Sequence, residues 1–165
     1  MSGPRESKTT SRTDLLRHVI MALLLANLAL ASMPAGADEP DGAPSLYQRV
    51  GGYDFIAKLV DTAFPRVASH PSLQRLFMGH SIDSQLRQRQ LIVDALCQAT
   101  GGPCIYIGRP MKPLHEGLGI SESDWAVFID IIDGALVELD MAEREREDWL
   151  TMFDQTFRPD IVERP

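Results

Sequence analysis

The sequence has few of the residues that bind metal ions directly. Its 165 residues include only two cysteines and four histidines, and neither a Cys-x-x-Cys nor a His-x-x-x-His pair occurs. A zinc or mononuclear iron site built from side chains alone needs three or four ligands. No group of ligands at such spacing is present, so the sequence does not indicate a metal site of this kind.

Motifs of covalent catalysis and of phosphate binding are also missing. No Gly-x-Ser-x-Gly segment occurs, and Gly117–Leu118–Gly119 lacks the lysine and the strand-to-helix context of a phosphate-binding loop. The carboxylates of residues 143–148 alternate with Arg144 and Arg146, which is typical of a solvated helix face.

Basic residues are scarce relative to acidic ones. The chain has 16 Lys and Arg against 23 Asp and Glu, a formal charge of −7. Residues 1–37 hold four of the basic and two of the acidic residues, so residues 38–165 carry a formal charge of −9. Nucleic-acid binding requires a basic surface, so we expect no nucleic-acid partner and no docking on anionic lipid.

The first 37 residues have the pattern of a secretory signal peptide. A mildly basic stretch precedes an apolar run at 19–31, and Ala35-Gly36-Ala37 supplies the small residues of a cleavage site. Thirteen residues are few for a membrane-spanning helix, which needs about 20. We expect cleavage after Ala37 and export to the periplasm; an uncleaved membrane anchor is the alternative. The polar Pro/Gly segment 38–45 is predicted to be a linker.

The remaining sequence indicates an all-α domain. Apolar residues recur every three or four positions over 53–68, 86–99, 125–139 and 149–157. Ser81 is expected to cap the second of these helices and Ser121 the third, while Asp140 is placed to cap the fourth. No alternating run is long enough to predict a sheet.

The segment 101–120 is a long loop with apolar side chains. It contains three prolines and five glycines, which forbid a long regular element. Ile105, Tyr106, Met111 and Ile120 are nevertheless too apolar for a loop in solvent. His115 lies near its end; most histidines in such loops are structural, so the residue alone does not identify a ligand.

The loop resembles the proximal haem loop of truncated haemoglobins, and most closely that of their first group. The resemblance is carried by Gly101-Gly102-Pro103, Tyr106, Gly108, Met111-Lys112 and the run from His115 to Ile120. It implies a truncated globin, a two-over-two helical sandwich with a long proximal loop containing Gly and Pro. The implied domain is 46–158, followed by a C-terminal tail, 159–165.

The resemblance also assigns the proximal side of a haem site. It implies haem b with His115 as the iron ligand, since the porphyrin supplies the other four nitrogens. Phe77 matches the Phe that stacks on the haem. Tyr106, Met111 and Ile120 are placed near the haem edge or its proximal face.

On the distal side the chain departs from the family. Phe64 stands where many members have a Tyr, and Phe cannot donate a hydrogen bond to a bound ligand. Leu86 and Gln90 resemble the paired distal positions, which leaves Gln90 as the expected donor. Two further assignments are Arg87 and Arg89 as partners of the haem propionates, and His80 as a sixth iron ligand.

The pairing of Cys97 with Cys104 is left open by the sequence. An oxidising compartment favours a disulfide. Both positions resemble ones that carry Cys in cytoplasmic-looking relatives, and that observation favours free thiols.

The resemblance implies reversible binding of O₂, NO or CO by a monomer or weak dimer. A haem enzyme, acting as an NO dioxygenase or peroxidase, is an alternative that Phe64 weakens. A haem-based redox or sensor module is a further alternative.

Overall fold

The computed structural model describes residues 42–163. The predicted signal peptide and residues 38–41 of the predicted linker lie outside that range. Between residues 42 and 163 no helix combines the length and the apolar character needed to cross a membrane.

The described chain is helical and contains no strand, which confirms the all-α prediction. The α-helices are α1 Leu46–Arg49, α2 Gly52–Ser69, α3 Ile82–Ala99, α4 Met111–His115, α5 Glu122–Glu138, α6 Glu143–Met152 and α7 Arg158–Ile161. A 3₁₀ turn, Gln74–Leu76, lies between α2 and α3, and a π-helical turn, Phe153–Phe157, joins α6 to α7.

Side-chain caps set two of the predicted helix starts. The hydroxyl of Ser81 accepts from the backbone N–H of Ser84 at the start of α3. Ser121 and Asp124 form a reciprocal capping box at the start of α5. These two predictions are confirmed.

The predicted cap of the last long helix is wrong. α6 begins after Ala142, and no side chain caps it. Asp140 instead adopts a left-handed conformation, with φ of 55°, in the turn that follows α5. Asp tolerates this conformation better than most residues, so Asp140 is part of the turn rather than the cap of the next helix.

The core forms where α2 packs against α3 and α5, and α5 packs against α6. Apolar residues at helical spacing on each element meet there. The largest fully buried side chains are Ile56, Leu59, Val93, Leu136 and Trp149. Each of these helices thus buries one face in a common core. The segment between α3 and α5 lies at the edge of that core.

Cys97 and Cys104 form a disulfide, with their Cα atoms 5.7 Å apart. Of the two states that the sequence left open, the structure has the disulfide and not the free thiols. Gly101 ends α3 with φ of 84° and turns the chain back. Gly102 then donates its N–H to the carbonyl of Cys97, at 2.8 Å, and this brings Cys104 beside α3.

The C-terminal residues are part of the globular domain. The predicted boundary between residues 158 and 159 falls inside α7. Beyond it, the N–H of Glu163 donates to the carbonyl of Ile120 at 2.9 Å, and its carboxylate accepts from the N–H of Gly119 at 3.0 Å. Residues 159–163 therefore fasten the end of the loop that carries His115.

Candidate functional site

An apolar cavity of about 610 Å³ lies beside His115. Its walls come from α2, α3, α4, α5 and α7, from the π-helical turn, and from the segments that join α2 to α3, α3 to α4 and α4 to α5. Its size is in the range of sites that bind small molecules and cofactors. Six of the eight residues predicted for the site line it: Phe64, Phe77, Tyr106, Met111, His115 and Ile120.

His115 stands at the end of the short helix α4. Pro113 is tolerated there because it lies in the first turn, where the backbone N–H has no helical partner. Glu116 leaves the helical conformation, with ψ of 130°, and Gly117, with φ of 81°, completes the turn that follows the histidine. The sequence therefore places a single helical turn, with His115 on its cavity side, inside an otherwise irregular segment.

The imidazole of His115 is held by its own helix. Nδ1 lies 2.8 Å from the carbonyl oxygen of Met111. A carbonyl only accepts, so in the neutral ring Nδ1 carries the proton and Nε2 keeps its lone pair. Histidines that bind metals are commonly oriented in this way, because the N–H bond fixes both the tautomer and the ring plane.

Tyr106 forms a second part of the proximal wall. Its N–H donates to Oε1 of Gln98 at 2.8 Å, and its hydroxyl donates to the carbonyl of Arg109 at 2.8 Å. Burial raises the pKa of the phenol. Both bonds fix the extended segment that leads to α4.

Aromatic rings from α2 and from the segment between α2 and α3 form another part of the wall. The rings of Phe64 and Phe77 meet edge to face, with centroids 5.5 Å apart. The ring of His80 lies 6.5 Å from that of Phe77, and His80 also lines the cavity. The three rings give this wall little hydrogen-bonding capacity apart from the exposed imidazole.

Leu86 and Gln90, which the sequence analysis assigned to the distal side, are not among the residues that line the cavity. Leu86 is 60% exposed, and the amide of Gln90 donates to the Tyr53 hydroxyl at 2.7 Å and to Asp94 at 2.9 Å. The two residues are one turn apart, so they share a face of α3. That face is turned toward solvent and toward the start of α2.

The face of α3 that does meet the cavity has its own helical spacing. It consists of Ser84, Arg87, Gln88, Leu91, Ile92, Ala95 and Leu96. Steps of three and four residues keep these positions on one side of the helix. This spacing is visible in the sequence, so the periodicity of α3 could have indicated the cavity-lining residues that the resemblance did not assign.

Gln88 is a polar residue of the cavity wall to which the sequence assigned no role. Its Oε1 is buried and has no hydrogen-bond partner. Turning the amide plane exchanges Oε1 and Nε2, so the group can accept or donate at this position. Gln88 therefore brings an unpartnered polar atom to the wall of an otherwise apolar cavity.

The two arginines predicted near the propionates behave differently. Arg87 lines the cavity. Arg89 instead forms a bidentate ion pair with Asp61 of α2, with distances of 2.6 and 2.7 Å. The hydrogen bond from Arg89 holds the pKa of the Asp61 carboxyl below its ordinary value. The side chain of Arg89 therefore links α3 to α2.

These features fit an iron porphyrin. The cavity is mainly apolar, its histidine presents a free Nε2, and an arginine at its wall can meet a carboxylate. Within the described residues, the porphyrin would need no further protein ligand than His115. Gln88, whose Oε1 has no hydrogen-bond partner, lies on α3 at the wall of the same cavity.

Comparisons with known proteins agree with this geometry. A family model described as bacterial-like globin matches residues 45–161. A group 1 truncated haemoglobin from Mycolicibacterium paratuberculosis is 35% identical over 77 residues, 47% of this chain and 54% of that protein. One from Nostoc commune is 35% identical over 78 residues, 47% of this chain and 64% of that protein. The alignments thus span less than two thirds of these relatives.

Solved structures share the fold at low identity. Truncated haemoglobin from Tetrahymena pyriformis superposes with a TM-score of 0.66 at 20% identity, over 73% of this chain and all of that one. A 2/2 haemoglobin from a Synechococcus species, solved with covalently attached haem, gives 0.65 at 22% identity over the same shares. The two-over-two fold prediction is confirmed. Over residues 45–161, and so over every wall of the cavity, this chain belongs to the bacterial-like globin family.

Proposed function

We propose that the cavity holds haem b, with His115 as the axial ligand, and that the protein reversibly binds O₂ or another diatomic gas there. The observation that carries the proposal is the His115–Met111 hydrogen bond, which leaves Nε2 free beside an apolar cavity. When bound, the haem supplies the iron that takes up the gas.

The residues of the chain have separable tasks in this proposal. Nε2 of His115 would hold the iron, and the Met111 carbonyl keeps the ring in place. Phe64 and Phe77 would help to exclude water from the cavity that they line. Gln88 offers a hydrogen bond to the ligand where Phe64 offers none.

Non-covalent haem is supported by the state of the cysteines. Both are joined in the disulfide, and the chain has no other. No thiol is therefore left to form a thioether with a vinyl group. The same disulfide supports our proposal that the protein is exported, because such bonds persist in oxidising compartments.

The test is a haemin titration of the whole protein and two variants, His115→Ala and His80→Ala. The wild type should take up one haemin per chain, with a sharp Soret band, and its ferrous form should shift under CO. His115→Ala should lose or alter this spectrum, while His80→Ala should retain it. Equally poor uptake by all three proteins would contradict the proposal.

A further inference from the structure

The disulfide joins the two sides of the candidate haem site. Cys97 lies near the end of α3, which supplies the Gln88 side of the cavity. Cys104 begins the extended segment that leads through Tyr106 to α4 and His115. A single covalent bond therefore connects the distal helix to the proximal segment.

We propose that the Cys97–Cys104 disulfide positions His115, holding segment 104–110 against α3 so that the haem site is formed before haem enters. The proposal rests on the proposed haem-binding function of the cavity. It makes the disulfide and the haem mutually stabilising.

The first support is how few other bonds hold this segment. Among the described residues, its hydrogen bond to α3 is the one from the Tyr106 N–H to Gln98, and its bond from the Leu114 N–H to the Pro110 carbonyl only begins α4. The hydroxyl of Tyr106 bonds to Arg109, and Arg109 bonds to Pro113, so these bonds are local. The link at Gln98 lies directly beside Cys97, so the covalent and non-covalent ties act at one place.

The second support is the burial pattern along the segment. Ile105 and Ile107 are 77% and 80% exposed, so their side chains contribute little packing. Cys104 and Tyr106 alternate with them and face inward, and Cys104 packs against the core. With two of its apolar side chains in solvent, the segment depends on the inward pair for its position.

The third support is the rigid environment of the bond. Cys97 is fully buried within the core cluster. A Cβ atom added to Gly102 would lie 2.7 Å from Cys97 Sγ and 2.5 Å from the ring of Tyr47. The anchor is therefore closely packed, and displacement on reduction should occur at the Cys104 end.

Reduction of the bond is the perturbation that tests the proposal. A dithiol reagent donates two electrons: the S–S bond breaks, each cysteine sulfur takes a proton, and the reagent is left as its own cyclic disulfide. Attack should occur at Cys104, which is partly exposed, because Cys97 is enclosed.

Linkage sets the size of the expected effects. If the disulfide tightens haem binding by some factor, haem must stabilise the disulfide by the same factor. Each tenfold change corresponds to a fall of about 30 mV in the reduction potential of the disulfide. The potential of the haem-loaded protein should therefore lie below that of the haem-free protein.

The first experiment needs no haem. Amide hydrogen exchange is measured on the oxidised and the dithiothreitol-reduced haem-free protein. Exchange should quicken by tenfold or more in residues 105–115, and much less in α5 and α6. Unchanged exchange in 105–115 would overturn the proposal, whatever the fate of the haem hypothesis.

The second experiment measures haemin loss to an excess of apomyoglobin. The variant Cys97→Ser/Cys104→Ser and the reduced wild type should both lose haemin at least tenfold faster than the oxidised wild type. Dithiothreitol should have no effect on the double variant, which controls for reaction of the reagent with haem. Equal loss rates in oxidised and reduced protein would overturn the proposal.

A third variant separates positioning from general stability. Val93 is fully buried on α3 but does not line the cavity. Val93→Ala should lower thermal stability, while leaving haemin loss near the wild-type rate. If it accelerates haemin loss as much as the loss of the disulfide does, the effect is one of global stability and the proposal fails. Absence of haemin uptake by the oxidised wild type would instead refute the proposed function, with the exchange experiment still deciding on the disulfide.

Discussion

Nδ1 of His115 lies 2.8 Å from the carbonyl oxygen of Met111, one helical turn earlier in α4. His70 shows the opposite arrangement, because its Nδ1 accepts from the backbone N–H of Ser72 at 3.3 Å. The neutral ring of His115 should therefore carry its proton on Nδ1, and that of His70 on Nε2.

This difference predicts two tautomers in one haem-free protein. Long-range ¹H–¹⁵N spectra, recorded at a pH where the rings are neutral, should report a protonated Nδ1 in His115 and a protonated Nε2 in His70. His70 is an internal control, because both histidines are measured in the same sample. A protonated Nε2 in His115 would mean that the nitrogen facing the cavity is not free to bind metal.

Much of this fold could be predicted from local sequence signals. The Ser81 and Ser121 caps define helix starts by short-range hydrogen bonds, and the glycines around His115 limit α4 to one turn. Each signal depends on residues a few positions apart, so it can be recognised without knowing the tertiary structure.

The rotation of α3 about its axis could not be taken from the family alignment. A shift of two residues, from Gln90 to Gln88, moves a side chain by about 200° around a helix with 3.6 residues per turn. It therefore exchanges the solvent face for the cavity face. The disulfide was equally hard to predict, because pairing depends on the turn at Gly101 that brings Cys104 beside Cys97.

Gln88 and Gln90 provide a matched test of this rotation in the haem-loaded protein. Gln88→Leu removes the unpartnered amide on the cavity wall, whereas Gln90→Leu alters the opposite face of the same helix. Loss of a hydrogen bond to a bound ligand costs about 1–3 kcal/mol, so O₂ should dissociate about 5- to 150-fold faster from Gln88→Leu.

Stopped-flow O₂ dissociation measures this rate in both variants. Gln90→Leu should remain near the wild-type rate. The reverse ranking would show that α3 presents its other face to the ligand.

Gly102 and Gly134 should respond oppositely to the same substitution. A Cβ at Gly102 would lie 2.5 Å from Tyr47 and 2.7 Å from Cys97 Sγ, so Gly102→Ala should lower the free energy of unfolding by about 1–3 kcal/mol. Gly134 lies inside α5, where an added Cβ would meet nothing within 4 Å beyond its own helix, so Gly134→Ala should raise it by about 0.5–1 kcal/mol. Urea unfolding measures both changes. If the two substitutions change the free energy of unfolding in the same direction, the close packing around Gly102 is contradicted.

Asp124 should make stability depend on acid pH. Its carboxylate accepts from the N–H of Ser121 at 3.0 Å, from the Ser121 hydroxyl at 2.8 Å and from Arg75 at 3.0 Å. The backbone hydrogen bond is the main cause that holds the Asp124 pKa below its ordinary value of 3.8, and the Ser121 hydroxyl and Arg75 add to it. Burial opposes the shift.

The sign of the effect follows from the lowered pKa. The folded state binds the Asp124 proton less readily than the unfolded state does. The stabilisation is therefore present above the unfolded pKa, and it is lost as the pH falls through the lower folded value. Asp124→Asn should reduce the free energy of unfolding by about 1–3 kcal/mol at pH 7, and by progressively less as the pH falls below about 4.

Urea unfolding between pH 2.5 and pH 7 compares this variant with Asp130→Asn, which removes the same charge from an exposed position on α5. The control should follow the wild type within about 0.5 kcal/mol. Arg75 also donates to the carbonyl of Gly119, at 3.0 Å, so its pairing with Asp124 fixes the end of the His115 loop. The Asp124 variant should accordingly quicken amide exchange at Gly119 and Ile120, whereas equal exchange in both variants would confine Asp124 to capping α5.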